Sequence, residues 1–224
     1  MKNNIKSVLV VFSGGMDSTT LLYDAKNKYK NIEAISFNYG SKHNEKELSC
    51  AKYHTKKLNV KHKIINLDLN KMGFKSDLLI SGGEIPEGHY QTENMKSTVV
   101  PFRNGIMLAI VAGYSDSINA EKVILGSHSG DHAIYKDCTK EFTDAMNLAV
   151  YLGTDNKIQI ESTFNNLMKW DIVKIGIQLK INYSKTWSCY KGLDKHCGKC
   201  GTCIERKEAF IKSGIKDPTE YMEE

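Results

Sequence analysis

The stretch Val8–Ser18, VLVVFSGGMDS, decides the reading of this chain. Five apolar, β-prone residues, Val8 to Phe12, stop at Ser13-Gly14-Gly15. An amphipathic stretch begins at Asp17, with Leu21, Leu22, Ala25 and Tyr29 on one side. The pattern is that of a buried strand, a tight turn and a helix. Paired glycines let successive backbone N–H groups converge at a helix N-terminus, which is a place for an anion. Ser13 and Ser18 add hydroxyl donors for phosphate oxygens, and Asp17 suits the Mg²⁺ that accompanies a nucleotide. A plainer use of the same residues stays open, with Ser-Gly-Gly as a simple turn and Asp17 as a helix cap. A Walker loop is excluded by the missing Gly-Lys-Ser/Thr, and a dinucleotide fingerprint by the adjacent glycines.

Working outward, strand and helix alternate along the chain. Ile32–Asn38 reads as a second strand, followed by a polar helix from about His43 to Leu58 with Leu48, Ala51 and Leu58 as its buried stripe. His43 either faces the nucleotide edge of the sheet or is an exposed residue at the helix start; the exposed position is the simpler expectation. Lys63–Leu67 makes a third strand. From Leu69 to about Ser97 periodicity fails, as in a cover or mobile segment. Gly105–Tyr114 is a strongly apolar helix with Arg103 at its entrance, where a planar guanidinium meets a phosphate or forms a structural ion pair.

Lys122–Gly126 is the fourth strand, and the polar run Ser127 to Cys138 is expected outside the core, at the ligand edge of the sheet. A helix from about Thr139 to Tyr151 should turn Phe142, Met146, Ala149 and Val150 inward. Ile158–Glu161 begins a fifth strand, and Asp171–Leu179 is helical. The expected fold is α/β, a doubly wound, mainly parallel sheet of about five strands with helices on both faces.

The 224 residues suffice for one such domain and a small appendage, but not for two large domains, and the hydrophobic content of 41% is that of a soluble globule. A net charge of +5, spread along the chain, permits an anionic substrate without demanding nucleic acid. Apolar runs are too short to span a membrane and the N-terminus enters a strand directly, so no membrane partner and a cytoplasmic location are expected.

Four of the six cysteines crowd into Cys189, Cys197, Cys200 and Cys203, a C-x₇-C-x₂-C-x₂-C spacing. Two-residue gaps point thiolates at one ion, with Gly198 and Gly201 supplying the backbone angles of the knuckle. Four thiolates suit one structural Zn²⁺ per chain, an iron–sulfur cluster and a redox pair being the alternatives. His196, adjacent to Cys197, could substitute for one of the four, although neighbouring residues rarely reach the same ion together. The division expected is 1–185 for the nucleotide-binding unit and 186–224 for a cysteine-bound helical segment packed on it. Flanking basic and aromatic density is too low for a nucleic-acid reader.

Residue for residue, Ser13 to Ser18 resembles the Ser-Gly-Gly-X-Asp-Ser loop of the PP-loop ATP pyrophosphatases, which split ATP between the α and β phosphates. With Val10–Leu22, Phe37–Ala51, Val100–Asn104, Asp137-Cys138 and Thr186–Cys203 taken together, the chain resembles the 7-cyano-7-deazaguanine synthases within that superfamily. The resemblance implies a carbon–nitrogen ligase of the queuosine pathway and a homodimer. In its reaction ATP activates the carboxylate of 7-carboxy-7-deazaguanine and ammonia converts it through an amide to a nitrile. It also implies that Phe12, Ser13, Gly14, Gly15, Met16, Asp17, Ser18, Thr19, Thr20, Leu21 and Leu22 form the ATP loop, with Asp17 and Arg103 catalytic. A guanine-like base calls for a carboxylate on its N–H edge, Asp131 or Asp137, and an aromatic ring on its face, Tyr135. Ser41 stands where the family usually has glutamine, and the 131–138 loop departs from the family's usual sequence. The likeness also leaves room for an amide synthetase on a related acid, a tRNA-modifying relative, or a non-catalytic ATP- or RNA-binding protein.

Overall fold

A computed structural model describes residues 7–89, 93–129 and 135–223. Its strands are β1 (Ser7–Val11), β2 (Asn31–Asn38), β3 (Lys61–Asn66), β4 (Lys122–His128) and β5 (Gln159–Phe164). The helices are α1 (Met16–Lys28), α2 (Asn44–Leu58), α3 (Arg103–Ser117), α4 (Lys140–Gly153), α5 (Lys169–Gln178) and α6 (Gly201–Ser213). The sheet has the order β3-β2-β1-β4-β5 and every neighbouring pair is parallel. The doubly wound α/β expectation holds.

Side chains alternate across a strand, so each central strand feeds two cores. Val8, Val10, Ala34 and Ile124 join Leu21, Leu22 and Ala25 of α1, Ala51 of α2 and Ile172 of α5 on one face. Leu9, Ile35, Phe37, Val123 and Leu125 join Leu108 and Val111 of α3 and Val150 of α4 on the other. This two-sided burial is why Val8 to Phe12 is almost uniformly apolar.

Four local expectations are corrected. The segment after Leu69 is packed: Leu69, Leu78 and Leu79 are fully buried, Met95 nearly so, and Glu93–Thr98 is a 3₁₀ turn. Its apolar residues fit the core singly, without a period, and Lys42 Nζ fastens it by donating to the carbonyls of Gly83 (2.6 Å), Leu79 (2.9 Å), Gly82 (3.3 Å) and Asp77. β4 continues through Ser127 and His128, both buried, because that end of the strand is roofed by the site described below. On α4 the inward stripe is Phe142, Thr143, Met146 and Val150, which leaves Ala149 exposed. In the knuckle Gly198 has φ +75°, but Gly201 simply begins α6.

Candidate active site

In sheets of this topology the ligand crevice lies beyond the carboxyl ends of the strands where their order reverses, here between β1 and β4. A cavity of about 250 Å³ sits there. Its floor is the 13–18 loop, opposed by Leu125, Gly126 and Ser127 of β4. Gly14, at φ +93°, lets the loop lie against α2: a Cβ there would fall 2.2 Å from the Glu47 backbone oxygen and 2.8 Å from the Ala51 nitrogen. Ser13 and Ser18 are cross-linked, with hydroxyls 3.1 Å apart, and the Gly15 N–H donates to Ser13 Oγ at 3.1 Å. The hydroxyls and amides therefore occupy one small area at the start of α1.

Of the expected loop residues, Ser13, Gly15, Met16, Asp17 and Ser18 line this cavity. Phe12 faces an adjoining inner chamber of about 210 Å³. Thr19, Thr20, Leu21 and Leu22 are fully buried and point away, Thr20 Oγ1 sharing a 2.7 Å hydrogen bond with Tyr183 Oη. α1 is covered by the sheet, α2 and α5, so these four, which cover most of a helical turn, are buried on whichever side they lie.

Asp17 is met by groups that its own sequence neighbourhood does not announce. Lys169 Nζ, from the first residue of α5, lies 3.3 Å from Asp17 Oδ2 and 2.6 Å from Glu205 Oε2 of α6, and His128 Nε2 lies 3.8 Å from Asp17 Oδ2. Asp17 Oδ1 is buried without a hydrogen-bond partner among the described residues. An unmatched carboxylate oxygen beside a phosphate-type loop fits a hard divalent cation such as Mg²⁺.

Arg103 borders both cavities, donating from Nη1 to Tyr39 Oη at 3.0 Å with its guanidinium carbon 5.4 Å from that ring's centre. The inner chamber also holds His43, Glu47 and Tyr190. The expectation of an exposed His43 is thus overturned: it is 3% exposed, with its ring 5.2 Å from that of Tyr190 and Nε2 3.5 Å from Glu47. Burial, aided by the Arg103 charge, pushes His43 down to about 3. Burial pushes Glu47 up to about 8, against the opposing pull of Arg103 and the Ser13 hydroxyl. Near neutral pH His43 is therefore neutral and Glu47 largely protonated.

Tyr135 is buried at the cavity wall, its hydroxyl 3.1 Å from that of Tyr190, with Cys138 beside it. Asp137 is not among the lining residues; its carboxylate accepts from the Asn104 N–H at 2.8 Å, in the first turn of α3. Asp131 lies outside the described residues.

The C-terminal segment supplies the remaining wall, through Trp187, Ser188, Tyr190, Thr202 and Glu205. Cys189, Cys197, Cys200 and Cys203 are buried, and one ligand atom from each lies within 4.8 Å of the others. A tetrahedron with 2.3 Å metal–sulfur bonds has edges of roughly 3.8 Å, so small adjustments suffice to close a shell. Backbone N–H groups of Lys199 and Cys200 point at Cys197 Sγ, as befits thiolate character. His196 does not take a cysteine's place: its Nε2 accepts from the Ser188 N–H at 3.0 Å and its ring packs on Trp187.

Residues 7–214 match the family described as Queuosine biosynthesis protein QueC. This chain belongs to the QueC family. A 7-cyano-7-deazaguanine synthase of Porphyromonas gingivalis is 55% identical over 96% of this chain and 97% of its own length. Others so named, from Desulfotalea psychrophila and Methanoregula boonei, are 51% and 46% identical over 96% and 97% of this chain, and 98% and 99% of their own lengths. Among solved structures, a U34-tRNA thiolase from Methanococcus maripaludis with its [4Fe-4S] cluster has a TM-score of 0.53 at 14% identity. It is matched over 95% of this chain and 67% of that one. An NMN synthetase from Francisella tularensis has a TM-score of 0.52 at 13% identity, over 95% and 79%. These two likenesses concern the fold. No helix among the described residues is long and apolar enough to cross a membrane.

Sequence reading singled out Asp17, Arg103 and the cysteines but gave no role to Lys169, Glu205, Tyr190 or Glu47. Lys169 opens a helix and Glu205 follows the knuckle by two residues, and nothing local distinguishes either from a solvated charge.

Proposed function

We propose that this chain converts 7-carboxy-7-deazaguanine, ammonia and ATP to 7-cyano-7-deazaguanine, as a ligase forming carbon–nitrogen bonds. The observation that carries the reading to this site is the meeting of the Ser13–Ser18 cradle with Asp17, Lys169 and Arg103 in one cavity of a QueC-family chain. A carboxylate is a poor electrophile, so its oxygen first attacks the α-phosphorus of ATP and pyrophosphate leaves. Ammonia then adds to the acyl carbon and AMP departs, giving the amide. In a second round the amide oxygen is adenylated, and loss of AMP with the amide protons leaves the nitrile.

Ser13, Ser18 and the loop amides bind the departing pyrophosphate, and their fixed donors match charge that grows in the transition state. Asp17 would hold the Mg²⁺ that accompanies ATP, and the ion would supply Lewis-acid neutralisation of that charge. Lys169 leaves Asp17 and Glu205 for a phosphate oxygen, and Arg103 faces the α-phosphate and the substrate carboxylate. Asp131 is assigned to the N–H edge of the base and Tyr135 to its face. Asp137, tied to Asn104, is better read as the support of α3.

The four cysteines would hold one Zn²⁺, in a structural role. Residues 1–185 then form the nucleotide-binding unit and 186–224 its metal-stabilised wall. We propose further that the enzyme is a cytoplasmic homodimer using free ammonia and no nucleic acid.

Mass spectrometry of protein incubated with Mg²⁺-ATP, ammonium and 7-carboxy-7-deazaguanine tests the reading. The nitrile should appear with AMP and pyrophosphate. An unchanged base from folded, metal-loaded protein would overturn it.

A further inference from the structure

Glu47 has no part in the chemistry described above, yet it stands where the two cavities meet. It lines both of them, as do Val11, Ser13, Arg103, Asn104 and Tyr190, so the inner chamber adjoins the main cavity along one wall. The rest of the chamber is largely apolar and aromatic, through Ile35, Phe37, Tyr39 and Met107. Glu47 faces His43 Nε2 at 3.5 Å and, one turn on, Cys50 of its own helix. The Ser13 hydroxyl, Arg103 of α3 and Tyr39 at the end of β2 meet it from elsewhere.

Such a space disfavours a cation. Arg103 repels one, and that charge together with burial already keeps His43 neutral. The chamber also has a polar atom to spare: His43 is 3% exposed, and its Nδ1 has no hydrogen-bond partner among the described residues. A buried ring nitrogen left unpaired calls for a small polar guest.

We propose that the inner chamber is the ammonia subsite of this enzyme, and that Glu47 takes the proton released when ammonia bonds to the activated carboxyl carbon. The inference rests on the ligase reading above and names where its nucleophile waits. Ammonia is neutral, so the Arg103 charge does not exclude it, and it brings both a lone pair and N–H donors to the chamber.

In the step itself the nitrogen lone pair forms the C–N bond and the carbonyl electrons move onto oxygen. Their return breaks the bond to the AMP phosphate oxygen. The nitrogen, now positive, gives one proton to a Glu47 carboxylate oxygen. The products are the amide, AMP and a Glu47 carboxylic acid, which later loses that proton to water through the main cavity. An ordinary carboxylate is too weak a base to hold a proton from an ammonium-type nitrogen. Glu47, raised by burial to about 8, is a closer match. Only about a tenth of it is ionised at pH 7, but efficiency follows the product of ionised fraction and base strength.

The test compares two nucleophiles on the full-length, metal-loaded protein. Mg²⁺-ATP and 7-carboxy-7-deazaguanine are supplied at pH 7 with ammonium chloride or with hydroxylamine, and the amide and nitrile or the hydroxamate are followed by mass spectrometry. Hydroxylamine is a much weaker base than ammonia, so its adduct gives up a proton to water unaided. Glu47→Gln should slow the ammonia reaction ~100-fold and the hydroxylamine reaction less than about threefold. If that variant lacks the native circular dichroism, Glu47→Asp takes its place, with the ammonia rate falling at least ~10-fold further than the hydroxylamine rate. Met107→Phe, which narrows the chamber, should raise KM for ammonia more than KM for ATP. Equal losses with the two nucleophiles would assign Glu47 to ATP, the base or the fold and overturn the inference alone. An unchanged ammonia KM in folded Met107→Phe would do the same. Wild type that forms neither product would overturn the ligase reading and this inference with it.

Discussion

The phosphate-type loop at 13–18 and the cysteine knuckle at 189–203 are both short, glycine-punctuated stretches that gather polar atoms on a small volume, yet they are completed in opposite ways. The knuckle takes all four of its sulfurs from fifteen consecutive residues and closes on itself. The loop provides only a floor. Its Asp17 is met by Lys169 from α5 and His128 from β4, Lys169 is shared with Glu205 of α6, and Glu47 of α2 and Arg103 of α3 stand alongside. A structural metal needs a saturated shell, which one segment can give; a reacting pair of substrates needs walls, which only distant segments can give.

The two sites also touch, since Glu205 lies two residues past Cys203 and reaches the cavity. Breaking the closed site should therefore damage the open one. Cys200→Ser should lose the bound metal, lower the thermal midpoint by roughly 10 °C or more, and abolish turnover, as read by metal analysis and calorimetry. Retention of one tightly bound metal with unchanged melting would separate the two sites.

The reverse should not hold. Asp17→Asn should leave metal content and melting unchanged while lowering AMP formation by about 10³-fold or more. Lys169→Met should cost about 10- to 100-fold in kcat/KM for ATP, again with the knuckle intact, because it removes one phosphate cation and leaves the loop amides in place. An unaltered ATP dependence in that variant would confine Lys169 to a structural ion pair.

The smallest expected effect concerns protons. Glu47 is raised to about 8, so its contribution to stability is present below its unfolded value near 4.5 and declines as pH rises through about 8. Glu47→Gln, permanently neutral, should flatten that decline; melting curves from pH 6 to 9 would read it. His54 behaves oppositely. Burial holds it at about 4, with Nε2 against the Lys185 carbonyl and Nδ1 against Tyr23 Oη, so its stabilisation is lost as pH falls from about 6.5 through about 4.

Much of the fold was legible in the chain. Alternating apolar runs located all five strands, and the C-x₇-C-x₂-C-x₂-C spacing announced the cluster. The 69–98 segment was not legible, because its buried residues have no period. Neither was His43, since a helix-start histidine looks the same whether water or Tyr190 lies beyond it.

Periodicity, glycine placement and ligand spacing are properties of neighbours along the chain, and by themselves they determined the sheet, the glycine turn at 13–18 and the cysteine cluster. Which charges surround Asp17, which loop residues turn from the cavity into the core, that Asp137 supports α3, and that α4 exposes Leu148 and Ala149 were decided only in three dimensions. Each depends on residues far apart in sequence being brought within a few ångströms, and no local pattern encodes that distance.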